Sequence, residues 1–237
     1  MQKKFEIFMV ACLFICSFFL ARAGAAYVCA KNLNTKNLCI VLDAGHGGAD
    51  PGKVGCNDIL EKDVNLSIVH KLKTLFENKG FRVVLTREDD TVLADENSKN
   101  VKIEDLRNRV ALITETMPVM TISIHQNSYH EESVSGGQVF YYKNSQKGKT
   151  LAEILQKRFN YVLGEKNSRQ AKANGNYYLL LHVKPPIAIV ECGFLSNRAE
   201  AAKLQDEVYQ DRMAWTVHMG IMEFLNREAL QDKQTKG

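Results

Sequence analysis

Two apolar segments of this sequence each end in a histidine, and together they constrain the fold more than any other feature. The first is Ile40-Val-Leu-Asp-Ala-Gly-His46-Gly-Gly and the second is Ile122-Ser-Ile-His125. A short apolar run bounded by glycine or polar residues is typical of a buried strand. Each strand would therefore present an imidazole at the rim of a sheet, where a ligand can reach it.

An acid that lies between the two histidines in the sequence, Glu61, completes a candidate metal site. Catalytic zinc is usually held by three imidazole or carboxylate ligands, with a fourth position open for water or substrate. His46, Glu61 and His125 provide such a set, and we predict that they bind one zinc ion. Other interpretations stay open: Glu61 could cap its helix in the box Asp58-Ile-Leu-Glu61, and the histidines could be an ordinary loop residue and a core residue.

A second carboxylate lies at the end of another apolar run, Pro185-Pro-Ile-Ala-Ile-Val-Glu191. An unpaired charge is costly inside a strand. Glu191 therefore either pairs with a buried cation such as Arg87 or Arg109, or it has a chemical role. Beside zinc, a glutamate can take a proton from water and later return it, and we predict this role for Glu191.

Three further residues are candidates for contact with substrate or with the metal ligands. We expect Asp43 to orient His46 through its second ring nitrogen, although a plain turn aspartate is the alternative. Asn127 and His182 are candidates for hydrogen bonds to the substrate. Structural or solvent-exposed roles are expected for the remaining histidines: His70, His130 and His218.

Apolar runs alternate with segments of helical periodicity, and this alternation predicts an α/β domain. Val64, Ile68, Leu72 and Leu75 form one face of a helix that ends at Lys79-Gly80. We expect strands at residues 38–42, 81–86, 119–125, 138–142, 177–181 and 187–191. Further helices are expected at residues 106–116, 147–163 and 206–227, followed by a frayed polar tail at 228–237.

The N-terminus has the pattern of a secretory signal: Lys3 and Lys4, an apolar run from about Ile7 to Leu20, and small residues up to Ala26. The apolar run of about fourteen residues is shorter than the roughly 20 that span a bilayer, although an uncleaved anchor stays open. We predict a signal peptide at 1–26, cleaved after Ala23 or Ala26, a lead-in at 27–37, one catalytic domain at 38–227 and a tail at 228–237. Export across the cytoplasmic membrane follows.

Charge and cysteine content exclude several classes of protein. Removing residues 1–26 takes away three basic residues and one acidic residue, so the net charge falls from +4 to +2. The sequence has no dense basic stripe, and we therefore expect no nucleic-acid partner. Four of the six cysteines remain, and their irregular spacing favours small buried side chains over disulfides for Cys39 and Cys192.

Five segments taken together resemble the zinc-dependent N-acetylmuramoyl-L-alanine amidases of the type 3 family. In order they are Asp43-Ala-Gly-His-Gly-Gly-Ala-Asp-Pro-Gly, Leu60-Glu-Lys-Asp-Val-Asn-Leu, Leu85-Thr-Arg, Ile122-Ser-Ile-His-Gln-Asn and Val190-Glu-Cys-Gly-Phe-Leu-Ser-Asn. The resemblance implies a mixed, roughly six-stranded sheet flanked by helices. It also implies that His46, Glu61 and His125 hold zinc and that Glu191 is the catalytic carboxylate.

The resemblance further implies a substrate and a compartment. The family hydrolyses the amide between the lactyl group of N-acetylmuramic acid and L-alanine in peptidoglycan. Within it, one catalytic domain behind a signal peptide is most like the germination-specific amidases of the spore cortex. A vegetative wall amidase and another zinc hydrolase, such as a deacetylase, are the alternatives, and a silent wall-binding protein is not expected. We also hypothesise that an accessory protein or the wall substrate controls zinc loading by ordering residues 47–61.

Overall fold

The computed structural model describes residues 9, 13–17, 35–95, 97–164 and 167–234. Of the predicted signal peptide it describes residue 9 and residues 13–17, which are helical and exposed. The cleavage sites after Ala23 and Ala26 and most of the lead-in lie outside the described residues. Within the described ranges, no helix has both the length and the apolar character needed to cross a membrane.

Six strands form one mixed sheet in the part of the chain that the structure describes, as the family resemblance implies. They are β1 (Cys39–Ala44), β2 (Arg82–Leu85), β3 (Met120–Asn127), β4 (Gln138–Tyr142), β5 (Lys172–Asn174) and β6 (Ile187–Phe194). Their order across the sheet is β2-β1-β3-β6-β4-β5. Neighbours from β2 to β6 are parallel, β4 is antiparallel to β6, and β5 is parallel to β4.

Helices cover both faces of this sheet. They are α1 (Glu61–Glu77), α2 (Val101–Thr116), α3 (Gln146–Leu163), α4 (Tyr178–His182), α5 (Arg198–Gln205) and α6 (Glu207–Gln234). Helices α1 and α3 pack against α6, and α2 packs against α4. Every residue of β1 and β6 is buried, because parallel strands covered on both faces have no solvent side. The carboxyl ends of β1, β3 and β6 therefore lie together at one edge of a rigid core.

The C-terminal third differs from the sequence-based expectation. The predicted strand at 177–181 is wrong: its apolar residues form helix α4, in which Leu179 and Leu180 are buried and Leu181 is exposed. The strand at this end of the sheet is instead β5, whose three residues carry no apolar pattern.

The final helix also differs from the prediction: the observed helix is longer, and another helix precedes it. Helix α5 lies before it, and the Asn197 side chain caps α5 by accepting a hydrogen bond from the backbone N–H of Glu200 at 3.0 Å. Helix α6 continues to Gln234, so the expected frayed tail is wrong for residues 228–234. The cysteine expectation is confirmed, because Cys39 and Cys192 are buried and unpaired.

A buried arginine ties the loop after β1 to helix α2. The Arg109 guanidinium donates to Asp43 Oδ1 at 2.6 Å, to the carbonyl of Ala44 at 2.8 Å and to the carbonyl of His46 at 2.8 Å. It also donates to Asp105 Oδ2 at 2.7 Å. Burial opposes ionisation of Asp43, but Arg109 and the Ser123 hydroxyl outweigh this effect and hold the pKa of Asp43 below its usual range.

Replacing Arg109 with methionine should destabilise the protein strongly. The substitution leaves the buried Asp43 carboxylate without its counter-charge, and removing one partner of a buried ion pair typically costs about 3–5 kcal/mol. The change would be measured as the free energy of unfolding in denaturant. Arg107→Met is the matched control, because Arg107 is exposed on the same helix. Equal, small effects of both substitutions would contradict a central role for Arg109.

Candidate metal centre

The structure brings His46, Glu61 and His125 together at the carboxyl edge of the sheet. His46 lies two residues beyond β1, His125 lies near the end of the neighbouring strand β3, and Glu61 is the first residue of α1. One ligand atom from each of the three lies within 4.8 Å of the others. The two strand ends and the helix start therefore converge on one point, as the sequence pattern predicts.

Glu61 is the centre of this cluster. Its side chain is buried, with Oε1 2.9 Å from His125 Nδ1 and Oε2 3.3 Å from His46 Nε2. The backbone N–H groups of Gln126 and Lys53 donate to the same carboxylate at 3.1 Å and 2.8 Å. Burial opposes its charge, but the two histidines outweigh burial and hold the pKa of Glu61 far below its usual range. Glu61 therefore remains an anion, as a metal ligand must be.

The alternative in which Glu61 caps its own helix is wrong. Helix α1 has Leu60 at its N-cap position, and no side chain caps the helix there. Asp58 has a left-handed backbone, with φ of 58°, instead of the extended conformation typical of an N-cap residue. The carboxylate of Glu61 is directed to the histidines instead.

The ring of His46 is oriented by an aspartate other than the expected one. His46 Nδ1 lies 2.9 Å from Asp50 Oδ2, so Nε2 is the nitrogen that faces Glu61. The prediction that Asp43 has this role is wrong, because Arg109, Thr86 and Ser123 occupy its carboxylate. Asp50 lies four residues after His46 in the same glycine-rich segment. This short spacing is the sequence signal that could have identified it as the partner of His46.

The surroundings of His125 favour its protonated form. Burial lowers its pKa, but the hydrogen bond and the negative charge of Glu61 outweigh burial and raise the pKa of His125 to about 8. The negative charge of Glu191 acts in the same direction. A site that attracts a proton this strongly also attracts a cation.

Two glycines allow the backbone to approach the three ligands closely. A Cβ on Gly45 would lie 2.1 Å from Cε1 of His125, and a Cβ on Gly52 would lie 2.6 Å from Oε2 of Glu61 and 2.7 Å from Cδ2 of His46. Gly52 also has a φ of +68°, which other residues rarely adopt. The glycine-rich segment is therefore built around the imidazoles and the carboxylate.

Glu191 lies beside the cluster without being part of it. It pairs in register with His125 across β3 and β6, is 8% exposed, and has one carboxylate oxygen that is buried with no hydrogen-bond partner. The salt-bridge interpretation is wrong: Arg109 binds aspartates and backbone carbonyls, and Arg87 binds backbone carbonyls. Burial, reinforced by the charge of Glu61, raises the pKa of Glu191 to about 7.

A cavity of about 480 Å³ opens over these four side chains. Asn127 lines it, and its Oδ1 accepts a hydrogen bond from the backbone N–H of Ser128 at 2.8 Å. His182 is not among the lining residues; it is exposed, and its ring lies 4.3 Å from that of Tyr178, which does line the cavity. Lys53, Lys102, Tyr177 and Tyr178 are among the lining residues that were not anticipated from the sequence.

Known proteins share the family and the fold of this chain. Residues 40–223 match the family model described as N-acetylmuramoyl-L-alanine amidase. The chain is 39% identical over 192 residues to the germination-specific N-acetylmuramoyl-L-alanine amidase of Bacillus subtilis, covering 80% of each protein. It is 30% identical over 187 residues to the amidase LytC of the same organism, covering 78% of this chain and 35% of LytC.

A solved structure with the same fold is the CwlD amidase from Clostridioides difficile in complex with the GerS lipoprotein. It is 40% identical to this chain, with a TM-score of 0.77. The match covers 80% of this chain and 98% of the CwlD chain. The catalytic domain of CwlV from Bacillus (Paenibacillus) polymyxa is 30% identical with a TM-score of 0.69, over 80% of this chain and 98% of that one.

Substituting Gly52 with alanine should weaken metal binding while the fold is retained. The new Cβ would displace Glu61 and His46, and disturbing groups that orient metal ligands typically costs about 10–100-fold in affinity. Zinc affinity would be measured by calorimetric titration. Gly164→Ala is the control, because Gly164 has a similar φ of +76° with nothing within 4 Å of a Cβ. Equal zinc affinity in the two variants would show that the close approach at Gly52 is irrelevant to the site.

Proposed function

Because the chain belongs to the N-acetylmuramoyl-L-alanine amidase family, we propose that it cleaves the lactyl–alanine amide of peptidoglycan with zinc held by His46, Glu61 and His125. Glu191 is the proton-transfer group in this proposal. The observation that carries it is the buried, unpartnered carboxylate oxygen of Glu191 next to three convergent ligands. A buried acid without a structural partner is costly to keep and is typical of a catalytic site.

The residues present fit zinc. Two imidazoles and one carboxylate form a ligand set of the kind found in catalytic zinc sites, and an ion held by them would face the cavity. His46 donates a hydrogen bond to Asp50, and two backbone N–H groups donate to Glu61, and these bonds orient the ligands before any metal arrives. Zinc, when bound, polarises a carbonyl and lowers the pKa of a water molecule from about 15.7 towards about 7.

Glu191 performs the proton transfers. As a carboxylate it accepts a proton from the attacking water, and as a carboxylic acid it then donates that proton to the departing alanine nitrogen. A single group does both most efficiently when its pKa lies near the working pH, and burial raises the pKa of Glu191 to about 7. No covalent intermediate with the protein is needed.

The spore cortex is the wall that the similarities favour. The germination-specific amidase of Bacillus subtilis is 39% identical to this chain over 80% of its length, whereas LytC is 30% identical and this chain spans 35% of it. A cortex or wall substrate requires export, in agreement with the predicted signal at 1–26. Muropeptide profiles of spores without the protein would test this assignment; an unchanged cortex together with an altered vegetative wall would contradict it.

An accessory protein is a further part of the proposal. The structure of the Clostridioides difficile CwlD amidase contains the GerS lipoprotein, which supports a partner for this chain as well. We propose that such a partner stabilises residues 47–61. This segment contains Asp50, which contacts His46, and ends at Glu61. Zinc titration with and without a candidate partner tests this; equal affinity in both conditions would rule it out.

Glu191→Gln should retain one zinc per chain and lose most hydrolysis, because an amide cannot accept the proton from water. General acid–base assistance typically contributes about 10²–10⁴-fold. The assay measures new N-terminal alanine released from purified peptidoglycan, and Glu115→Gln is the control on an exposed surface. Near-normal turnover in Glu191→Gln would refute the assignment. Released acetate in place of alanine termini would identify a deacetylase.

The same substitution should stabilise the zinc-depleted protein in a pH-dependent way. Glu191 has a pKa of about 7 when folded, against 4.5 as its ordinary value. The unfolded chain therefore loses this proton first, and the folded state is penalised as the pH rises from 4.5 to 7. The penalty reaches about 3 kcal/mol above pH 7 and is absent below pH 4.5. Denaturant unfolding of chelated protein at pH 8 and pH 4.5 would measure it; a pH-independent difference between wild type and Glu191→Gln would contradict burial as the cause.

A further inference from the structure

Two lysines in the cavity have no role in the chemistry described so far. His46, Glu61, His125 and Glu191 account for the metal site and for proton transfer. Lys53 and Lys102 line the same cavity, and neither ammonium group is needed to hold or activate a metal. They are the lysines among the lining residues, and they lie outside the metal-ligand set.

Lys53 is fixed beside the metal site by its backbone. Its N–H donates to Glu61 Oε2 at 2.8 Å, and its carbonyl accepts from the N–H of Glu61 at 2.9 Å. Its side chain is exposed, and its ammonium has no hydrogen-bond or ion-pair partner among the described residues. A lysine whose backbone is fixed beside the metal site and whose ammonium is left unpaired is available to a bound ligand.

Lys102 approaches the same region from helix α2. It is the second residue of α2, where the helix dipole disfavours a positive charge, so helix stability does not explain it. Its Nζ lies 3.8 Å from Oδ2 of Asp50, and its side chain is 69% exposed. Asp50 contacts His46, which places the second ammonium next to the metal ligands as well.

One part of the remaining wall is aromatic and aliphatic, whereas the metal ligands, Glu191 and four polar residues (Ser123, Gln126, Asn127 and Ser128) form the other part. Tyr177, Tyr178, Leu179, Leu106 and Ile189 form the first part, and they provide aromatic and aliphatic surface without a positive charge. An anionic group of a ligand would therefore be held by the lysines and not by these residues. The wall is asymmetric in charge, and this asymmetry can orient an elongated substrate.

We propose that Lys53 and Lys102 form a subsite for a carboxylate of the stem peptide, within one or two residues of the scissile bond. This inference rests on the proposed amidase function. In the substrate of that reaction the lactyl carboxyl group is already consumed in the amide, so the N-acetylated glycan at the site carries no carboxylate. A free carboxylate must then come from the peptide. One or two residues span at most about 3.3–3.6 Å each, a distance that flexible lysine side chains can cover.

The test uses two synthetic muramyl peptides that differ in one group. In one, the residue after alanine carries a carboxylate, and in the other it carries the matching carboxamide. With the zinc-loaded wild type, the carboxamide should raise KM about two- to fivefold at unchanged kcat, as expected for a partly solvated charge pair. Lys53→Gln should raise KM for the carboxylate substrate alone, whereas Lys53→Arg should retain the preference. Lys102→Gln should act in the same direction as Lys53→Gln.

Lys157→Gln is the matched control, because Lys157 is exposed on α3 and does not line the cavity. Equal KM values for the two substrates in the wild type would overturn the proposal. The proposal would also fail if Lys53→Gln raised KM for the carboxylate and the carboxamide substrate by the same factor. Binding of the two substrates to the Glu191→Gln variant separates this subsite from the chemistry. A carboxylate preference that depends on Lys53 supports the subsite even if no cleavage occurs, and binding without preference contradicts it.

Discussion

The structure depends on one buried carboxylate that must stay charged. Glu61 is 2% exposed and lies between two imidazoles, and taking an ion out of water is costly unless it is fully paired. Two histidines and two backbone N–H groups provide that pairing. Three features of the fold bring these groups into contact. Neighbouring parallel strands position the two histidines, a helix begins at Glu61, and glycines leave space for the imidazole rings.

A second set of charges holds that arrangement in place. Arg109 and Arg87 donate to the carbonyls of residues 44–46, which satisfies backbone acceptors at the end of β1 and in the loop that follows it. His46 itself has a left-handed backbone, with φ of 64°, a conformation that is strained for a residue with a side chain. Hydrogen bonds from the two buried arginines stabilise the loop in this conformation. The buried, unpartnered Oε2 of Glu191 is a second cost, and the proposed role in proton transfer accounts for it.

The sequence was sufficient to predict most of the fold and the convergence of the site. Apolar runs that end in histidine or glutamate predict strand ends at one sheet edge, and β1, β3 and β6 meet there. Local apolar pattern was insufficient near α4, because Leu179 and Leu180 bury their side chains equally well from a helical turn as from a strand. The aspartate that bonds to His46 was predicted to be Asp43 and is Asp50. Hydrogen-bond partners depend on loop geometry, which the periodicity of a sequence does not describe. Lys53 and Lys102 were missed for the same reason: nothing in a sequence marks which exposed lysines face a cavity.

The central claim is that zinc is held by two imidazoles and one carboxylate at this sheet edge. X-ray absorption spectroscopy at the zinc edge tests it most directly, because nitrogen and oxygen ligands at about 2.0–2.2 Å are distinguished from thiolate sulfur at about 2.3 Å. For protein loaded with one equivalent of zinc, we predict two imidazoles, additional oxygen ligands and no sulfur. Sulfur in the first coordination shell, or zinc that remains fully hydrated, would contradict the account.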